Sequence, residues 1–179
     1  DVPFGSTWTT VVRDPSLNLN PNMRRVGSFQ QWWTGLMIGQ ARNLREKMVL
    51  FWHTNLATQA STVQLAETLY GMNQLLRDQC LGNFRSMMYD VTVDASMLLY
   101  LNGYLNTNLA PDENYGRELM ELFTLGEGSG YTEEDVHTAG RLLTGWTVSL
   151  QDGNAPTLPT VVYIQNHHDT TDKQFSSFF

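Results

Sequence analysis

Two glutamates set the chemical question. Glu118 and Glu121 stand three residues apart in Tyr115-Gly116-Arg117-Glu118-Leu119-Met120-Glu121-Leu122-Phe123, a segment with helical periodicity. Residues at i and i+3 are neighbours on a helix surface. The pair could therefore share general acid and base work, or ligate a divalent metal ion. At 100° per residue, Tyr115, Leu119, Leu122 and Phe123 define the apolar face, Glu118 falls on its edge and Glu121 lies further out. A carboxylate at a core boundary is costly unless paired or bound to a cation. An ion pair between Glu118 and Arg45, Arg77 or Arg85 answers that cost as well as a metal does.

A second group follows the β-rich stretch near the C-terminus. His168 and Asp169 could donate metal ligands, with Asn166 as a polar neighbour. Together with Glu118 they would complete a metal site, and Glu118 and Glu121 would be its catalytic pair. The alternative is a solvated tail. Arg77, Asn83 and Arg85 could bind an anionic group, with Asn114 a further binding candidate, or they could cap helix ends and pair with glutamates. His53 closes a strongly apolar segment and could be a ligand, a base or a buried structural histidine. Gly126-x-Gly128-x-Gly130 has the wrong spacing for a dinucleotide loop and no strand before it. Trp32, Trp33 and Trp52 read as core, whereas Trp8 and Trp146 could stack on sugars.

The elements that must position these groups are mostly helices. Residues 1–27 read as a polar arm with turns. Ser28 caps a helix over 29–39, a second runs over 42–57, and Ser61 with Gln64 fits the capping box of a third that ends before Gly82. Shorter helices follow over 83–90 and, capped by Asp94, over 95–101. A loop over 102–114 precedes the helix 115–125, and Thr132 with Asp135 starts the last helix, which ends near Gly145. Thr147–Leu150 and Thr160–Ile164 form a hairpin around a turn at 151–159. The expected fold is mainly α: a bundle-like domain of about six or seven helices over 28–145, with a small β-hairpin and irregular tail over 146–179. The expected core includes Met48, Phe51, Trp52, Leu119, Leu122, Phe123, Leu142 and Leu143.

Composition narrows the function classes. The 179 residues carry a formal charge of −7, with charged residues at 16% and hydrophobic residues at 41%. Only Lys47 and Lys173 are lysines, so a basic face for tracking phosphates is not available and no nucleic-acid partner is expected. Cys80 is the only cysteine, which excludes an internal disulfide and a cysteine-built zinc site. No apolar run reaches the ~20 residues of a membrane span.

Four strings carry a resemblance. They are Arg45-Glu46-Lys47-Met48-Val49-Leu50-Phe51-Trp52-His53; Leu75-Leu76-Arg77 with Leu81-Gly82-Asn83-Phe84-Arg85; Asn114 to Gly126; and Leu143-Thr144-Gly145-Trp146. In this order they resemble the bacterial domain-of-unknown-function 1800 family over roughly residues 29–175. The resemblance implies a helical fold and export to the periplasm, cell surface or medium. It supplies no mechanism. Family members are usually longer, which implies that this chain corresponds to the N-terminal part of the fold. Neighbouring genes imply an exported partner similar to the alkaline phosphatase and sulfatase group. Asn55 replaces the second histidine of the family's His-x-His, and Thr171 replaces the glycine of its His-Asp-x-Gly-x-Lys pattern. A glycine there points to a loop needing positive φ. Two functions follow: an exported binding or accessory module acting with a partner enzyme or cell-surface polymer, or a metal-assisted hydrolase using Glu118 and Glu121 with His168 and Asp169.

Overall fold

The computed structural model describes residues 21–41, 43–149 and 159–179. The first twenty residues of the expected arm and nearly all of the 151–159 turn lie outside them. Among the described residues the fold is mainly α, with eight α-helical segments and one two-stranded antiparallel sheet. Described residues up to 91 belong to a first compact unit, and Thr92–Leu150 with Thr160–Phe179 to a second.

In the first unit, α1 runs over Pro21–Gly39, α2 over Arg45–Asn55, α3 over Ala60–Val63, α4 over Ala66–Gln79 and α5 over Phe84–Thr92. Residues 21–27, expected as arm, are helical. Pro21 opens α1, where a missing N–H costs nothing, and the buried stripe Val26, Phe29, Trp33 extends the amphipathic face back past Ser28. The capping box at Ser61 does not form. Gln64 adopts φ 54 and ends α3, so α4 starts afresh. Helix α2 corrects the expected core. Glu46, Val49 and Leu56 are buried, while Phe51 is 50% exposed and Met48 and Trp52 are half-buried. The helix is apolar nearly all round, so hydrophobicity alone could not orient it. A buried carboxylate on its inner face does.

In the second unit, α6 spans Ala95–Tyr100. Its expected cap is present: Asp94 accepts from the Ser96 and Met97 amides at 2.8 and 3.3 Å. A 3-10 turn over Gly103–Leu105 leads to Asn106, which is 1% exposed and ties three segments together. Its side-chain amide donates to the Gly140 carbonyl, its Oδ1 accepts from the Asp112 amide, and its carbonyl accepts from the Gly145 amide.

Helix α7 covers Glu113–Glu118 and widens into a π-helical stretch over Leu119–Thr124. It packs on α8, Glu133–Leu142. The two approach closely at Gly116, where a β-carbon would meet the Gly140 nitrogen at 2.9 Å. Strands β1 (Trp146–Ser149) and β2 (Thr160–Tyr163) pair with Trp146 opposite Tyr163 and Val148 opposite Val161.

The widening of α7 corrects a second part of the expected core. Extra residues per turn rotate the face, so Met120 is buried, Leu122 is 67% exposed, and Leu119 and Phe123 are half-buried. On α8 Leu142 faces solvent, and only Leu143 just beyond it is buried as expected.

Candidate functional site

The open end of the hairpin gathers Arg141, Thr144, His168, Asp169, Thr171 and Lys173, and Gly145 makes the gathering possible. It sits at φ +94, and a β-carbon there would lie 3.1 Å from the Ile164 carbonyl oxygen and from the Tyr163 ring, and 3.2 Å from His168 Cβ. The backbone turns sharply enough for the Gly145 carbonyl to accept from the Ile164 amide at 2.8 Å. This closes the hairpin and returns the chain, through a short 3-10 turn over Gln165–His167, to the end of α8.

Thr144, fully buried, then fixes His168. The imidazole Nδ1 lies 2.8 Å from the Thr144 carbonyl. A carbonyl only accepts, so Nδ1 donates to it, and in its neutral form the ring accepts at Nε2. Nε2 has no hydrogen-bond partner among the described residues. The Thr144 hydroxyl donates to the Arg141 carbonyl at 2.7 Å and accepts from the Asp169 amide at 2.8 Å.

Asp169 is held on every side. Arg141 Nε donates to Oδ2 at 2.8 Å, and the Thr171 amide and hydroxyl donate to Oδ1 at 2.8 and 2.5 Å. The Arg141 guanidinium first, and Thr171 after it, hold this carboxyl well below the usual carboxylate range. Lys173 donates to the carbonyls of Asp169 and Thr171, and Arg141 also reaches the Thr171 hydroxyl and the Asp172 carbonyl. Thr171, the residue in the family's glycine position, is not at positive φ. The loop closes without a glycine because the hydroxyl is bonded between Asp169 and Arg141.

Three rings stand beside this knot. Trp146 and Tyr163 have centroids 4.9 Å apart, and Tyr163 and His168 5.7 Å apart, each pair inclined by 53°. Trp146 and His168 are half-buried and Tyr163 is 39% exposed. The tail beyond is strapped to α8. Asp135 accepts from the Ser176 amide at 2.6 Å and its hydroxyl at 2.8 Å, and from the Thr132 amide and hydroxyl at 2.8 Å each. Burial works to raise this carboxyl, but the four hydrogen bonds outweigh it and bring it down to about 2.

The two glutamates have different surroundings. Glu121 lies 3.6 Å from Arg117, which also meets Glu113 at 3.8 Å and clamps Glu133 bidentately at 3.0 and 2.6 Å. Glu121 also bonds to Tyr131. Glu118 is half-buried at the junction of the α and π stretches and makes no ion pair among the described residues. His168 and Asp169 come together, as their adjacency required, but on Thr144 and Arg141. Among the described residues no three His, Cys, Asp or Glu side chains gather in a way that could hold a metal ion.

Each of the expected anion-binding residues has its own local setting. Arg77 is paired with Glu46 in the first unit, which accounts for it without Glu118. Asn83 caps α5 through the Ser86 amide at 3.1 Å, Arg85 is exposed, and exposed Asn114 belongs to the second unit, where its amide donates to Asp112. His53 is half-buried with its ring edge-on to Trp33 at 4.8 Å, and burial lowers its pKa.

Sequence reasoning singled out neither Thr144, Arg141 nor Tyr163 as site residues. Thr144 stood in a recognisable string, Leu143-Thr144-Gly145-Trp146, whereas Arg141 and Tyr163 had no local signal. Only folding brings α8 to the hairpin.

Residues 8–178 match the sequence profile of a family described as protein of unknown function (DUF1800), and the chain belongs to that family. No curated protein and no solved structure matches it.

Proposed function

We propose that this member of the family is an exported binding module whose recognition face is the ring row Trp146, Tyr163 and His168. One observation carries the reading: Asp169, the carboxylate next to that face, is already consumed by structure, while Tyr163 is 39% exposed and His168 Nε2 has no hydrogen-bond partner among the described residues. Asp169 and Asp135 serve as anchors for loop and tail. A group saturated by hydrogen bonds and ion pairs makes a poor general base or metal ligand, because freeing it means breaking those bonds first. A rigid aromatic surface with a fixed acceptor suits recognition, since little conformational freedom remains to be lost on binding. Export, which the family resemblance implies, places the ligand among envelope or extracellular molecules.

The test is an array of cell-envelope polymers and peptides probed with the labelled chain. Trp146→Ala should weaken binding by roughly tenfold or more, about 1.4 kcal/mol, while Glu118→Gln leaves it unchanged. Binding that survives Trp146→Ala and is lost with Glu118→Gln would move the site to α7.

A further inference from the structure

We propose that the ligand of this face is an uncharged polysaccharide. The inference rests on the binding reading above and adds the ligand's chemistry. A pyranose ring has an apolar C–H face and a belt of hydroxyls. Its recognition therefore asks for aromatic faces together with uncharged donors and acceptors at their edge.

Both are present. Trp146 and Tyr163 have ring centroids 4.9 Å apart and Tyr163 and His168 5.7 Å apart, each pair inclined by 53°. Neighbouring rings are therefore not coplanar and do not make the flat plate on which a planar heterocycle would stack. The edge carries amides: Asn108, Gln165 and Asn166 are all exposed. Asn108 is bonded to the turn itself, its main-chain amide to the His167 carbonyl at 2.8 Å and its side chain to the Asn166 carbonyl at 3.2 Å. This holds the edge in place and leaves the Asn166 side-chain amide to the ligand.

Charge separates this ligand from an acidic one. The two cations near His168, Arg141 and Lys173, are turned onto Asp169 and onto backbone carbonyls, and exposed Asp172 sits in the same loop. Both cations are spent on Asp169 and on backbone carbonyls, and the Asp172 carboxylate makes no ion pair among the described residues, so the knot has no surplus positive charge for a uronate or sulfate. The chain as a whole carries −7, which repels polyanions. An uncharged chain is indifferent to both.

Affinity electrophoresis of the full chain tests this, with gels containing a neutral glucan, a neutral mannan or a polyuronate. A neutral polymer should retard the protein, by the same amount at low and high salt. Trp146→Ala should weaken the retardation at least roughly tenfold, and Trp146→Tyr should restore most of it, which separates loss of the ring from loss of folding. Retardation only by the polyuronate, and only at low salt, overturns the ligand class and leaves the binding face standing. So does binding confined to peptides on the array. No retardation by any polymer together with a blank array overturns both.

Discussion

The two units differ in what their best-buried ion pairs hold in place. In the first, Glu46 and Arg77 form a pair deep in the unit, with Glu46 5% exposed. Trp33 Nε1 donates to Glu46 at 3.3 Å, Asn73 accepts from Arg77 at 3.0 Å, and the guanidinium lies over Trp32 at 5.7 Å. Even so, Arg77 Nε and Asn73 Nδ2 are buried with no acceptor. In the second unit Arg141 pins a loop at Asp169, with side chains 17% and 13% exposed, and Arg117 pins the start of α8 at Glu133 on the surface. The Glu46–Arg77 pair orients helices, because each buried charge is intolerable without the other. The Arg141 pair fastens a loop instead, and that loop carries His168.

The first way to break this comparison is to remove one buried charge. Glu46→Leu should cost about 3–5 kcal/mol, because Arg77 is left buried and uncompensated. The double variant Glu46→Leu/Arg77→Met should recover much of that loss, since a well-packed apolar pair replaces an ion pair at little cost. Denaturant unfolding of both checks it. A single variant costing under ~1 kcal/mol would mean that Arg77 reaches water, and the pair would behave as a solvent-exposed one.

A smaller effect should come from the hinge of the ring face. Gly145→Ala puts a side chain at φ +94 against the Ile164 carbonyl and should cost about 1–3 kcal/mol. The chemical shifts of His168 should move with it, while those around Glu46 stay. If stability falls with no change at His168, the glycine does not position the imidazole.

Acid should separate the units next, and the signs differ. Burial lowers the pKa of His53 in the first unit. The unfolded chain therefore takes up a proton near pH 6.5 that the folded unit resists, and stability is lost as the pH falls from about 7. Burial pushes Asp94 in the second unit up to about 6, against the pull of the Ser96 and Met97 amides. Here the folded form holds the proton more tightly, so stability rises as the pH falls from about 6 to about 4. Asp135, down at about 2, reverses this lower still: its hold on Ser176 stabilises above about pH 4 and is lost as the pH falls through 2. Native-state hydrogen exchange at pH 7 and pH 5 should show α2 opening more readily at pH 5 and α6 less. The same change of sign in both helices would refute the assignment to His53 and Asp94.

What was legible in the sequence follows from how far each signal reaches. The caps at Asp94 and Thr132 rest on contacts between residues a few places apart and form as read, and the two β-rich segments pair as an antiparallel hairpin. The faces of α2 and α7 were misread because their determinants lie elsewhere. Glu46 turns α2 inward only because Arg77, thirty-one residues on, is there to meet it. The π-helical stretch that rotates Leu122 outward is not written in any local repeat. The candidate site was half legible. His168 and Asp169 stood out by type, but their roles are set by Arg141 and Thr144, which no spacing rule connects to them.

The smallest effect sharpens the comparison from the other side. Arg117 meets three carboxylates, and counting contacts would make it the strongest electrostatic feature of the second unit. Counting misleads here. Glu133 has a side chain 79% exposed, so water screens its charge, and holding two long side chains in one geometry costs entropy. Its pKa is lowered, first by the Arg117 hydrogen bond and then by that residue's charge, yet an exposed shift of this kind carries little stability. Glu133→Gln should therefore lower stability only slightly and lose most of that difference in high salt. A larger, salt-resistant loss would show that Arg117 is shielded in solution, as Arg141 is beside Asp169.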